Sequence, residues 1–78
     1  MYRVTRKQKI VQDGNVIEFE DSCEFLSEST ANDRYLTFLN TEVFLGGEPY
    51  GPDKVIFESP TFYRSVTVTI EENHEKQV

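Results

Sequence analysis

The sequence predicts an α+β domain: an antiparallel sheet of four to five strands, ordered β-β-α-β-β-β, with one or two short helices packed on one face. Three observations carry that expectation. Phe62, Arg64, Val66, Val68 and Ile70 alternate with Tyr63, Ser65, Thr67 and Thr69, the period of a half-buried strand. Asp13-Gly14 stands between two extended segments, and glycine supplies the positive φ that a tight hairpin turn requires. Between Ser22 and Leu39 the apolar spacing lengthens toward that of a helix.

In chain order, Tyr2 to Val11 reads as the first strand, with Tyr2 and Val4 alternating against Arg3 and Thr5. Its polar middle, Arg6 to Lys9, suits an edge, where lysine and arginine discourage pairing with a second chain. After the turn, Val16 to Glu20 returns as the second strand, Ile17 and Phe19 on one face and Val16, Glu18 and Glu20 on the other.

Asp21-Ser22 then offers a helix cap, and Phe19, Cys23 and Leu26 fall at i, i+4 and i+7. Thr30 offers a second cap ahead of Ala31 to Leu39, whose Tyr35, Leu36, Phe38 and Leu39 supply a packing side. The same residues also alternate with period two, so helix and strand compete there. Thr41 to Leu45 has the composition of a strand. The Gly-Pro-rich stretch Gly46 to Asp53 reads as a loop without regular structure.

Lys54 to Glu58 and Phe62 to Ile70 form the closing hairpin around Ser59-Pro60-Thr61; proline cannot donate to a ladder and so belongs in the connection. Arg64 is out of place on the apolar side of the last strand. Its expected position is near the end of the sheet, its stem on the core and its guanidinium in water. Residues 1–72 are expected to form the single domain, and residues 73–78, with one apolar side chain, a frayed tail.

Seventy-eight residues make one small core, to which ten aromatics (six Phe, four Tyr) supply large pieces. Cys23 is the sole cysteine, which excludes an intrachain disulfide and points to a reducing, cytoplasmic setting. No apolar run approaches 18 residues and the opening MYRVTRKQKIVQ has no signal-like apolar core, so a soluble, unprocessed protein is expected, without membrane contact.

The net charge is −6, but it is unevenly placed. Arg3, Arg6, Lys7 and Lys9 open the chain with no acid among them. Asp13, Glu18, Glu20, Asp21, Glu24, Glu28 and Asp33 follow with no base. The plainer outcome is mutual neutralisation across a hairpin. The sharper one leaves the acids facing outward as a docking surface.

If helix runs through Glu28, then Glu20, Glu24 and Glu28 lie at i, i+4 and i+8 on one side, where like charges weaken a helix by a few tenths of a kcal/mol per pair. Such a stripe, with Asp21 beside it, could dock on the basic surface of a larger protein or mimic a phosphate backbone in a nucleic-acid-binding groove. Otherwise it is a solvated helix face. Tyr50, between Gly-Glu-Pro and Gly-Pro, is a candidate anchor for the same partner, or else a tyrosine folded back on the core edge. The partner-binding candidates are therefore Glu20, Asp21, Glu24, Glu28 and Tyr50.

The loop GGEPYG lacks the lysine of a phosphate-binding loop and carries a glutamate where phosphate would approach. Basic residues near Tyr2 could touch nucleic acid directly, but overall acidity and the lack of further interleaved aromatics disfavour it. Cys23 lies on the apolar seam and reads as an inert packing residue; His74 reads as a tail residue with no second ligand beside it.

One histidine, one cysteine and no tryptophan make a catalytic constellation an unpromising reading, and no cofactor or metal is expected. The expected function is a small acidic protein-binding module, an inhibitor or adaptor of a larger protein, comparable in type, though not by motif, to phage and mobile-element inhibitors. The alternative is a structural or assembly protein that self-associates through a sheet edge or face, as a homodimer.

Overall fold

The structure is a computed structural model that describes residues 1–72. His74 and the tail expected at 73–78 lie outside the described residues. Among the described residues, five strands form one antiparallel sheet, and a single helix lies on one face. The strands are β1 (Tyr2–Gln12), β2 (Asn15–Phe25), β3 (Glu48–Pro49), β4 (Lys54–Ser59) and β5 (Phe62–Glu72), and the helix is α1 (Glu28–Phe44). Their spatial order is β2-β1-β5-β4-β3, which places β1 and β5 in the middle and β2 and β3 at the edges.

Asp13 and Gly14 both adopt positive φ, 52° and 79°, and join β1 to β2 in a two-residue turn of the kind whose twist matches a hairpin. From that turn the pairing runs unbroken from Gln12↔Asn15 to Tyr2↔Phe25. β2 therefore continues through Asp21 to Phe25, where the sequence suggested the start of a helix. The alternation of Ile17, Phe19, Asp21, Cys23 and Phe25 against Val16, Glu18, Glu20, Ser22 and Glu24 persists over its whole length. Opposite charges in register reinforce that pairing: Arg3 meets Glu24 at 3.2 Å, Arg6 meets Asp21 at 3.1 Å and Lys7 meets Glu20 at 3.9 Å.

The cap of α1 is Ser27, in an extended conformation, whose Oγ accepts the Thr30 N–H at 3.4 Å. Thr30, expected as a cap, is inside the helix. Thr41 to Phe44, expected as strand, form its last turn. Of the one or two helices expected there is one, and it reaches Phe44 because its inward stripe does not stop at Leu39: Ala31, Tyr35, Phe38, Leu39 and Glu42 keep helical spacing. Glu42 ends that stripe as a buried carboxylate, 5% exposed.

Its partner is Arg64. The guanidinium donates to Glu42 through Nη1 at 2.9 Å and Nη2 at 3.0 Å, and Nη2 also donates to Gln8 Oε1 at 2.7 Å. Phe57 lies under the same guanidinium, 5.0 Å from ring centre to Cζ. Arg64 is therefore fixed between helix and sheet, not extended into water as expected.

Beneath α1 the core consists of Val4, Ala31, Leu39, Val55, Val66 and Val68, with Tyr2, Phe25, Tyr35, Phe38, Phe57 and Ile70 packed around them. Past the helix, Gly46 turns with φ 107° and Gly47 lies against Val55, Phe57 and the Glu42 carbonyl, too close for any side chain. The Gly46–Asp53 stretch is not wholly irregular, since Glu48 and Pro49 add a short edge strand beside Ile56 and Val55. Proline is admissible there because its missing N–H faces no further strand.

Candidate interaction surface

Strands of 11 residues extend about 36 Å, whereas a helix of 17 residues extends about 26 Å. α1 starts just past the Tyr2–Phe25 end of the hairpin, and Glu42 in its last turn reaches only the level of Gln8 and Arg64. Among the described residues, none therefore covers the far end of the helix-side face. Ile10 faces Ile17 across β1 and β2, Phe19 faces Gln8, and Phe62 faces Gln12. All four apolar side chains share the helix side of the sheet. Ile17 is 50% exposed and Phe19 52%, while Ile10 and Phe62 are half-buried. The molecule is correspondingly elongated, 52 × 24 × 16 Å, with a radius of gyration of 14.4 Å against about 11.5 Å for a compact chain of this length.

The opposite face is polar and, among the described residues, has no helix. Arg3, Thr5, Lys7 and Lys9 on β1 lie between Glu24, Ser22, Glu20 and Glu18 on β2 and Glu71, Thr69, Thr67 and Ser65 on β5. Arg3 pairs with Glu24 and also approaches Glu71 at 3.8 Å. Thr5 and Ser65 are buried among these longer neighbours.

The residues singled out in the sequence do not form one stripe. Glu20 and Glu24 are on the polar face of β2, Asp21 is on its helix side, and Glu28 is the first residue of α1. The i, i+4, i+8 geometry fails because 20–25 is strand. Asp21 receives Arg6 Nε and Nη2, each at 3.1 Å, and that guanidinium also stacks on Phe38 at 4.6 Å. Tyr50 is 68% exposed at the β3 edge, its backbone N–H bonded to the Lys54 carbonyl at 2.7 Å, and is thus on the sheet edge opposite β2. Cys23 is half-buried on β2, not at a helix N-terminus.

The residues that sequence reasoning missed are Ile17 and Phe19. Their alternation was visible, but their exposure follows from the length of α1, which the sequence did not disclose. Among the described residues, no group of His, Cys, Asp and Glu converges in the manner of a metal site. Tyr2, beside the strand ends, is held above its ordinary pKa by partial desolvation, by its 3.2 Å hydrogen bond to Glu72 and that residue's charge, and by the charge of Glu28. No helix of the described residues is long and apolar enough to cross a membrane. Compared with protein families, curated proteins and solved structures, the chain finds no match.

Proposed function

We propose that this chain is a protein-binding module, an inhibitor or adaptor of a larger protein, and that it docks through the uncovered end of its sheet. The observation that supports this reading is the exposure of Ile17 and Phe19 on an ordered strand beside Ile10 and Phe62. Single exposed apolar residues need no explanation, but a contiguous group on a rigid sheet is the usual composition of an interface centre. The carboxylates of β2 take a secondary part. Glu20, Asp21 and Glu24 are each half of an ion pair, so they steer a basic partner and fix its register more than they supply affinity. That pairing weakens the phosphate-mimic version, which needs its negative charge uncompensated.

The test is an affinity capture with immobilised protein beside an Ile17→Ser/Phe19→Ser variant, whose fold is checked by circular dichroism. A discrete protein held by the parent and lost by the variant is the expected result. Capture indifferent to the two substitutions overturns the reading. Self-assembly, the second reading, draws on the same corner and on the free edge of β2; a concentration-dependent dimer in sedimentation at physiological salt would establish it instead.

A further inference from the structure

We propose that the outer edge of β2 receives an added antiparallel strand from the partner, a segment in which basic and apolar residues alternate. The proposal rests on the protein-binding reading above and specifies the chemistry of the partner. In a two-residue hairpin the pair flanking the turn exchanges both backbone hydrogen bonds, and bonded and non-bonded pairs alternate from there. Counting from Gln12↔Asn15, residues Ile17, Phe19, Asp21 and Cys23 bond inward to β1. Val16, Glu18, Glu20, Ser22 and Glu24 accordingly turn their N–H and C=O groups outward. β2 ends the sheet order, and among the described residues no backbone group bonds to that side. A free edge of this length is a template for strand addition.

Side-chain parity then selects the occupant. A residue of an added strand facing Glu18, Glu20 or Glu24 lies on the polar face beside a carboxylate, and one facing Ile17 or Phe19 lies on the uncovered apolar corner. The matching strand is therefore basic on one side and apolar on the other. β1 already has that character on the inner side, with Lys9, Lys7 and Arg3 facing Glu18, Glu20 and Glu24, and Ile10 facing Ile17. The carboxylates of Glu20 and Glu24 are still 63% and 45% exposed, open to a cation on the outer side.

A second copy is a poor occupant. β2 carries Glu18, Glu20, Asp21 and Glu24 and no base, so antiparallel self-pairing sets acid against or diagonal to acid, and each molecule brings a net charge of −6. The acidity that disfavours self-pairing favours a basic strand.

The test uses a capped peptide with the sequence of residues 2–12, YRVTRKQKIVQ, titrated into the full chain at physiological salt. Expected are saturable one-to-one binding and slowed amide exchange confined to Val16, Glu18, Glu20, Ser22 and Glu24. N-methylation of the peptide at Lys7 and Lys9 removes donors that would face β2 and should abolish binding, as should glutamate in place of its basic residues. In the protein, Glu20→Pro removes one outward donor while sparing the ladder to β1, and should weaken binding at least tenfold.

Absence of saturable binding, binding indifferent to N-methylation, or a homodimer through β2 at this salt overturns the proposal. If the peptide fails while capture still depends on Ile17 and Phe19, strand addition falls and the protein-binding reading stands. If capture is indifferent as well, both fall.

Discussion

Replacing Glu42 by alanine tests whether helix and sheet are held together by charge as well as by apolar contact. Glu42 is 5% exposed and accepts two hydrogen bonds from Arg64, whose side chain is 21% exposed. Removing one member of a fully buried ion pair costs about 3–5 kcal/mol, since a charge is left without a counterpart. Arg64 keeps Gln8, the Phe57 ring and a fifth of its surface in water, so the cost here should fall below that range, at about 2–3 kcal/mol. A chain of this length has a total stability of about 4–12 kcal/mol, so the loss is a substantial fraction. In thermal unfolding it corresponds to a fall in Tm of about 10–20 °C.

The assay is urea unfolding followed by circular dichroism for E42A, R64A and the double variant. The double variant should be much less destabilised than the sum of the two, with a coupling of about 1 kcal/mol or more. Methionine at both positions should recover most of the loss, because an apolar pair of similar volume has no charge to desolvate. An E42A cost under about 0.5 kcal/mol, or strict additivity with R64A, would show that the carboxylate is a bystander and refute this account of α1 docking.

Gly47→Ala should destabilise by about 1–3 kcal/mol, because the new Cβ would meet Val55 and Phe57 and approach the Glu42 carbonyl to 2.9 Å; unfolding in urea measures it. Tyr2 should titrate above its ordinary pKa of 10.0, read from phenolate absorbance in spectrophotometric titration. Its pKa is raised in the folded state, so its contribution to stability is present below the unfolded pKa and is lost as pH rises through the folded one. Glu72→Gln should lower that value only part of the way, because partial desolvation is the largest cause.

Much of the sheet was legible in the letters. The Asp13-Gly14 turn, the strand pair around Ser59-Pro60-Thr61 and the polar face of β5 all follow from residue periods and turn chemistry. What misled was charge. Asp21 and Cys23 sit on the helix side of β2, where an apolar residue marks a strand more plainly, and Phe19, Cys23 and Leu26 imitate a helical seam. Pairing with β1 decides between the two, and that is a non-local fact. At the other end of α1, the stripe of inward residues ends on Glu42, so hydrophobic spacing stops a turn before the helix does. Arg64, out of place on β5, and Glu42, out of place on α1, account for each other. Each looks like an exception until the other is brought beside it, from 22 positions away in the chain.

The two occupants that β2 could accept respond to salt with opposite signs, which separates them without any knowledge of the natural partner. Attraction between its carboxylates and a basic strand acts mainly through exposed groups, so it is screened as the Debye length falls from about 10 Å at 0.1 M to about 3 Å at 1 M salt. Repulsion between two acidic β2 edges is screened in the same way. The peptide should therefore bind most tightly at low salt and release as salt rises, whereas any pairing between copies should be absent at low salt and emerge only at high salt, where the apolar corner of Ile17 and Phe19 acts without electrostatic opposition. Sedimentation and peptide titration across that range give the two curves. A dimer that forms at low salt and dissociates at high salt would mean that the charges on β2 attract a second copy, and that the acidity of β2 does not select for a basic strand.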